Sequence, residues 1–171
     1  QWGLYNSEHE GYDISVSPAW DYATGRGVKI AIVDEGIELT HSDLAANIYN
    51  LSYDTETGTS PSKVYGDHGT HCAGIAAAVR NNGRYITGVA PDAKLMSVSN
   101  ELMSGSTFES EMADGINWAW KNGADIISCS WRSNKSSILE EAIDSALTYG
   151  RNGKGCIIVK SAGNTGGAIT Y

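Results

Sequence analysis

The chain has 171 residues, of which 41% are hydrophobic and 19% are charged, and this balance is ordinary for one compact globular domain. Its 12 lysines and arginines against 20 aspartates and glutamates give a formal net charge of −8, which opposes the phosphates of nucleic acids and anionic membranes. The longest apolar stretch, 73–79, is far shorter than the roughly 20 residues that cross a bilayer, so we expect no nucleic-acid and no membrane partner.

Helix and strand signals alternate along the chain. Ser17 followed by Pro18 predicts the start of a first helix, and Gly25 stands where that helix would stop. Short runs of β-branched residues then recur between segments of helical periodicity, which is typical of βαβ units. The predicted strands are 28–33, 95–99, 125–130 and 156–160. The sequence therefore predicts an α/β fold of three layers, with a mostly parallel sheet flanked by helices.

Two of the intervening helices carry start signals and an apolar stripe. Ser106 with Glu109, and Ser137 with Glu140, have the spacing of a capping box, in which each side chain accepts a hydrogen bond from the other residue's backbone N–H. Apolar residues at helical spacing predict the faces that these helices bury. The first face is Phe108, Met112, Ile116 and Trp120, and the second is Ile138, Leu139, Ala142, Ile143, Ala146 and Leu147.

The carboxyl ends of parallel strands meet at one rim of the sheet, where open α/β folds bind ligands. Asp34, Ser130 and Asn164 follow three of the predicted strands. Asp34 alone is more often a turn residue or a helix cap than a catalytic group. His68 lies at the start of a predicted helix, where the helix dipole disfavours imidazolium while a buried aspartate favours it. Such a pair would hold a neutral base, and the alternative is a packed or capping histidine.

Three cysteines, Cys72, Cys129 and Cys156, cannot all pair with one another, and none has the spacing of a zinc site. We expect small buried thiols. Cys72 follows His68 by one helical turn, and we expect its side chain to pack in the core without facing the imidazole. His68 and His71 are three residues apart, but no nearby Glu or third His completes a metal site.

Four sequence blocks in this order resemble the subtilase family of serine peptidases over nearly the whole chain. They are 33–36 (VDEG), 68–74 (HGTHCAG), 88–91 (GVAP) and 161–164 (SAGN). The resemblance implies a subtilisin-like fold and gives roles to three residues. Asp34 would orient His68, His68 would take the proton of a nucleophilic serine, and Asn164 would donate its amide to the oxyanion.

The resemblance also implies that an extended polypeptide substrate binds between two segments, 104–107 and 130–132, by backbone pairing. The substrate-binding residues would be Gly105, Ser106, Ser130, Trp131, Arg132, Ser161 and Gly163. By this resemblance, Arg132 would stand at the rim of the specificity pocket, where the family usually has glycine. Together with Lys160, it motivates the hypothesis that acidic residues are preferred near the cleaved bond.

Structural calcium is common in the family, bound by an aspartate in an H-x-D-L motif and by a loop after the histidine helix. His41-Ser42-Asp43-Leu44 and the loop 80–86 occupy those positions. Asp43 and Asn82 would supply side-chain oxygens to the ion, and backbone carbonyls would complete its shell. Two arginines in the loop oppose the binding of a cation.

The family's nucleophile lies in a Gly-Thr-Ser-x-Ala block beyond the asparagine turn, and no such block occurs up to Tyr171. We therefore expect 1–171 to be the amino-terminal portion of a single catalytic domain, incomplete at its carboxyl end and inactive alone. The serine would lie on a second chain or a missing segment. The alternatives are a non-catalytic relative that binds extended peptides, and an α/β binding protein unrelated to peptidases. Family habit implies a secreted protein, although residues 1–4 have no signal-peptide pattern.

Overall fold

The computed structural model describes residues 1–9, 11–164 and 166. Five strands form one sheet in the order β2-β3-β1-β4-β5, and every neighbouring pair is parallel. The strands are β1 (Lys29–Asp34), β2 (Tyr53–Asp54), β3 (Lys94–Ser99), β4 (Ile126–Cys129) and β5 (Ile157–Lys160). The predicted parallel sheet is confirmed. β1 occupies its centre, so the residue that ends β1 lies in the middle of the carboxyl rim.

In the described residues, three α-helices cover the two faces of the sheet. They are α1 (His68–Ala77), α2 (Phe108–Lys121) and α3 (Ser137–Gly153), and short 3-10 helices occupy Ser17–Asp21 and Ala45–Asn47. Successive residues of β1 point to opposite faces. Ala31 and Val33 therefore pack in the core formed with α2 and α3, whereas Ile30 and Ile32 pack in the core formed with α1. This is the predicted three-layer α/β arrangement.

Both predicted capping boxes are wrong. Thr107 precedes α2 and Ser136 precedes α3, and neither position makes a side-chain cap hydrogen bond. Ser106 lies two residues before the first helical residue, which leaves its hydroxyl too far from the third helical N–H. Ser137 is already inside α3, where a residue with helical backbone angles cannot turn back to cap the helix.

The predicted buried faces are largely confirmed, with differences at their edges. Phe108, Met112 and Ile116 are buried, but Trp120 is only partly buried because the smaller Ala119 takes the inward position. On α3 the inward residues are Leu139, Ala142 and Ala146, with Ile143 partly buried, while Ile138 and Leu147 are about half exposed at 51% and 50%.

The first helix begins at Ser17 but ends at Asp21, before Gly25. Cys129 and Cys156 are buried free thiols, as predicted. Among the described residues, no helix combines the length and the apolar character that crossing a bilayer requires.

Candidate active site

Asp34 is the last residue of β1, and it is buried at the centre of the rim with only 1% of its surface exposed. Its Oδ1 accepts the backbone N–H of Glu35 at 2.8 Å, and its backbone carbonyl accepts the N–H of Asn100 at 2.9 Å. A buried carboxylate is costly unless it is hydrogen-bonded or paired with a cation. The chemical role of the Asp34 carboxylate therefore depends on the side chain with which it pairs.

That partner is His68, the first residue of α1. Nδ1 of His68 lies 2.7 Å from Oδ1 of Asp34. The hydrogen bond with Asp34 raises the pKa of His68 above its ordinary value; burial opposes this, and the charges of Asp34 and Glu35 add to it. Because Asp34 holds Nδ1, Nε2 is the ring nitrogen left to exchange a proton with a ligand. The sequence prediction that these two residues meet is confirmed.

Close packing of glycines places His68 against the sheet. Gly69 is buried, and a Cβ at this position would overlap the carbonyl oxygen of Gly36. Only glycine at position 69 therefore lets α1 come this close to the turn after β1. The backbone N–H of His68 donates to Oε2 of Glu35 at 3.2 Å. The first turn of α1 is thereby fixed to the β1 rim at both its backbone and its imidazole.

Cys72 packs against the core on the α1 side of the sheet, as predicted, but the prediction that it would not face the imidazole was wrong. Its Sγ lies 3.8 Å from Nδ1 and 3.9 Å from Nε2 of His68, and the residue is only partly buried. Burial raises the pKa of the Cys72 thiol, a hydrogen bond with Ser130 lowers it, and the charge of Asp34 raises it further. The face of α1 that carries positions 68 and 72 is turned toward the rim, so a residue one turn along the helix is still beside the ring.

Asp34, His68 and Cys72 bring three potential metal ligands within 4.8 Å of one another. A carboxylate, an imidazole and a thiol suit a borderline cation such as Zn²⁺. Two of the three are already hydrogen-bonded to each other, which is the arrangement of an acid–base pair.

The two predicted substrate segments face each other across a groove of about 360 Å³. Ser104 and Gly105 line it on one side and Arg132 to Asn134 on the other, and Phe108 and Glu109 of α2 also contribute. Gly105, Ser106 and Arg132 are exposed. An extended chain can therefore reach both segments, as backbone pairing requires.

Trp131 is the exception within the second segment, because its side chain is buried and unavailable to a ligand. Its indole Nε1 donates to the backbone carbonyl of Val33 at 2.9 Å. Its own carbonyl accepts Oγ–H of Ser161 at 3.1 Å and the ammonium of Lys160, whose Nζ also lies 4.2 Å from the centre of the indole ring. Trp131 supports the segment from within.

The remaining predicted residues lie at the carboxyl ends of β4 and β5. Ser130 follows β4 and is partly buried next to Cys72, and Ser161, Gly163 and Asn164 follow β5 and are exposed. Gly163 has a φ of +85°, a turn conformation that favours glycine. Asn164 follows β5, which lies two strands from β1 in the sheet, and its role at the site stays a prediction.

A buried polar cluster beside the site was not predicted from the sequence. Asp54 ends β2 and is fully buried, with hydrogen bonds from Thr57, Tyr65 and Ser99 and an ion pair with Lys63 at 3.3 Å. Burial opposes the ionisation of Asp54, but these hydrogen bonds outweigh it and lower its pKa. The Asp54 cluster could not be recognised in the sequence, because residues 55–62 have the composition of an ordinary surface loop.

Asp43 and Asn82 meet, as the calcium hypothesis requires. Asp43 is 1% exposed, and its carboxylate accepts the Asn82 side-chain amide at 2.6 Å and the backbone N–H of Ile86 at 3.0 Å. The described residues place no lysine or arginine in ion-pair contact with Asp43. A buried carboxylate without a cationic partner fits a hard cation, although Asn82 presents its N–H₂ group, and not its oxygen, to Asp43.

Known proteins resemble this chain over most of its length. The model of the subtilase family matches residues 25–170. Thermitase from Thermoactinomyces vulgaris is 40% identical over 153 residues, which cover 90% of this chain and 53% of thermitase. A calcium-dependent protease from Nostoc sp. is 35% identical over 188 residues, covering 96% of this chain and 28% of that protease.

Solved structures agree with the fold. A protease from Pseudoalteromonas arctica superposes with a TM-score of 0.79 at 33% identity, covering 96% of this chain and 57% of the other. Fervidolysin from Fervidobacterium pennivorans superposes with a TM-score of 0.70 at 29% identity, covering 95% of this chain and 24% of fervidolysin. The chain thus spans little more than half the length of thermitase and of the Pseudoalteromonas arctica protease, and about a quarter of the other two proteins.

Proposed function

The chain belongs to the subtilase family, and we propose that it supplies the general-base half of a serine endopeptidase. The observation that carries this proposal is the 2.7 Å contact between Nδ1 of His68 and Oδ1 of the buried Asp34. A histidine held in this way has one ring nitrogen bonded to a carboxylate and the other available to the reacting hydroxyl. These are the two contacts that the histidine of a catalytic triad makes.

In the proposed reaction, Nε2 of His68 takes the proton of a serine hydroxyl while the serine oxygen bonds to the carbonyl carbon of the peptide. Asp34 stabilises the imidazolium that forms. The C–N bond then breaks, and His68 returns the proton to the leaving amine. A water molecule repeats the sequence on the acyl ester and releases the acid. The side-chain amide of Asn164 donates to the oxyanion in both halves.

The substrate in this proposal is an extended polypeptide. Gly105 and Ser106 on one segment, and Ser130 and Arg132 on the other, would pair with its backbone, while Ser161 and Gly163 flank the cleaved bond. The groove between the segments supports this role, and Trp131 contributes by holding its segment in place through its bond to Val33.

We place the nucleophilic serine on a further segment or a second chain, because the sequence contains no Gly-Thr-Ser-x-Ala block. On this view 1–171 is the amino-terminal portion of one catalytic domain and is inactive by itself. Secretion, which the family resemblance implies, belongs to the same proposal. A structural calcium ion held by Asp43 is also part of it, and the existence of a relative named as a calcium-dependent protease supports that assignment.

Fluorophosphonate labelling tests the proposal. We expect the 171-residue chain alone to remain unlabelled, and material from the native source to carry the label on a serine-bearing segment that co-purifies with this chain. Replacing His68 by Gln in that complex should abolish both labelling and peptide hydrolysis. Hydrolysis that survives the loss of His68 and of Asp34 would refute the proposal.

A non-catalytic peptide-binding module is the second candidate function, favoured by the open groove between the two substrate segments. Native material that binds extended peptides but takes no fluorophosphonate label would select this candidate.

A further inference from the structure

A second pocket, of about 710 Å³, lies along α1 and is separate from the groove between the substrate segments. Among the described residues, none lines both cavities. The helix contributes positions 70, 71, 74 and 75, and Asp67 just before the helix also lines the pocket. Residues three and four apart share one face of a helix, so these positions form a single stripe. His68 and Cys72 lie on a neighbouring stripe, which is turned toward the carboxyl rim.

Contacts within the protein hold the walls of this pocket in place. The N–H of Glu38 donates to Oγ1 of Thr70 at 3.0 Å, which joins the segment after β1 to α1. The rings of His41 and Tyr85 have their centres 5.6 Å apart, which joins the same segment to the loop after α1. All four residues line the pocket. The pocket is therefore already formed in the folded chain, as small-molecule sites usually are.

The interior of the pocket is largely apolar. Leu44 is buried and Ile86 is partly buried, while Val64 and Ile75 are 52% and 62% exposed and line the same cavity. A single exposed isoleucine is ordinary on a protein surface, but here exposed and buried apolar side chains surround one space. The volume lies in the range of about 300–1,000 Å³ that is typical of small-molecule sites. These features fit a ligand with an apolar body.

The charged groups at this pocket are acidic. Glu38 and Asp67 are exposed, and within the described chain neither carboxylate is in an ion pair. Asp67 occupies the N-cap position of α1, where an aspartate commonly accepts a backbone N–H of the first turn, yet it makes no such bond. Its carboxylate is therefore available to a ligand. The described lining contains no lysine or arginine that would neutralise either carboxylate.

We propose that this pocket binds an organic ammonium ion with an apolar body, such as an arylalkylammonium. The cation would lie against Glu38 and Asp67, and the apolar body against Leu44, Ile75 and Ile86. Both parts are needed, because an apolar solute leaves the two carboxylates without a partner and a bare cation leaves the apolar surface in water. This site is distinct from the proposed peptide cleft, and the inference does not depend on peptidase activity.

Two simpler explanations make different predictions. A chain with a formal net charge of −8 attracts any cation without a defined site, so a small ammonium ion would bind as well as a large one. An apolar hollow without an electrostatic contribution would take up a neutral solute as well as a cation of the same shape.

Four ligands separate these explanations: phenethylammonium, ethylammonium, phenethyl alcohol and 3-phenylpropanoate. Calorimetric titrations at pH 8 keep ordinary imidazoles uncharged, and a chelator removes metal ions from Asp43, which also lines the pocket. We expect phenethylammonium to bind about 10-fold more tightly than ethylammonium or phenethyl alcohol, and the anion to bind least. In NMR spectra, backbone amide shifts should centre on α1, 38–44 and 85–86 and leave 104–106 and 130–134 unchanged.

Variants of exposed residues assign the two parts of the site. Glu38→Gln and Asp67→Asn should each weaken phenethylammonium about 3-fold and leave phenethyl alcohol unchanged. Glu141→Gln is the charge control, since Glu141 is an exposed carboxylate on α3. Ile75→Ser should weaken phenethylammonium and phenethyl alcohol alike, and Ile138→Ser is its control, because Ile138 is 51% exposed on α3. Both controls should bind like the unmodified chain.

Any of four results overturns this inference: an affinity for phenethyl alcohol or for ethylammonium equal to that for phenethylammonium, amide shifts centred on the substrate segments, an affinity that survives both carboxylate variants, or no saturable binding. Failure of the proposed function has a different signature. Native material that takes no fluorophosphonate label would count against the peptidase and leave these titrations as they are.

Discussion

Nδ1 of His68 and Oδ1 of Asp34 lie 2.7 Å apart, yet 50% of the His68 side chain is exposed and only 1% of the Asp34 side chain. The Asp34 carboxylate is therefore shielded from water, while the His68 imidazole that it holds can reach solvent and ligand. Charge interactions are stronger where water is excluded, so the buried carboxylate strongly affects the proton affinity of the exposed imidazole.

Replacing Asp34 by Asn should lower the pKa of His68, because the hydrogen bond and the charge of Asp34 are the features that raise it. The midpoint can be followed by NMR titration of the imidazole C–H signals. The matched control is Asp67→Asn, which removes an exposed carboxylate next to His68 in sequence that forms no bond to the ring. An unchanged midpoint in the Asp34 variant would contradict the proposed pairing.

The same pair predicts a pH dependence of stability. The folded-state pKa of His68 is raised, so the pair's contribution is fully present below the unfolded value of about 6.5 and is lost as pH rises through the folded value. The difference in Tm between the unmodified chain and Asp34→Asn should therefore be larger at mildly acidic pH than at alkaline pH. A difference that grows with pH would have the wrong sign.

The parallel sheet and the meeting of Asp34 with His68 were predictable because both depend on patterns that the chain shows locally: strands alternating with helices, and glycines that permit close approach. Cys72 was not predictable, because the rotation of α1 about its axis depends on packing against Gly36 and the rim. The burial of the Trp131 indole was not predictable for a related reason. Its position in the sequence marks a substrate segment, but only the fold shows that its indole turns inward to Val33.

Cys72 should react slowly with iodoacetamide at neutral pH, since burial raises the pKa of its thiol above the ordinary 9.0. The rate should keep increasing above pH 9. Cys129 should not react in the folded chain, because burial raises the pKa of Cys129 to about 12. Mass spectrometry of the labelled chain gives both rates, and Cys72→Ser is the control that should abolish the first.

Alkylation of Cys72 should also disturb His68, because the sulfur lies within 4 Å of both ring nitrogens. We expect a shifted imidazole titration in the modified protein. Rapid modification at neutral pH, or modification without any effect on the His68 signals, would contradict the geometry.

Gly69→Ala should destabilise the fold by about 1–3 kcal/mol, because the new methyl group would overlap the Gly36 carbonyl, which is backbone and cannot rotate away. Urea unfolding measures the loss. Gly3→Ala is the control, since a Cβ at Gly3 meets no atom within 4 Å. The Gly69 variant should also lower the pKa of His68 by moving α1 away from Asp34; a stable variant with an unchanged titration would show that α1 has room to shift.

Calcium should stabilise the chain through Asp43. This carboxylate is buried, and in the described structure its partners are two N–H donors with no cation, so a bound Ca²⁺ would supply the missing positive charge. At a calcium concentration of about 100 times Kd, linkage predicts a gain of about 2.7 kcal/mol, visible as a rise in Tm that a chelator reverses. Asp43→Asn should abolish the rise.

The Asn82→Asp variant makes this test specific to the pair. A second carboxylate in place of the Asn82 amide, which lies 2.6 Å from Asp43, should lower the Tm of the calcium-free chain by charge repulsion. It should also tighten calcium binding, because calcium affinity increases with ligand charge. The calcium-induced rise in Tm should then be larger than in the unmodified chain. A calorimetric titration without heat, together with a Tm indifferent to chelator, would rule out the ion and leave the amide of Asn82 as the permanent partner of Asp43.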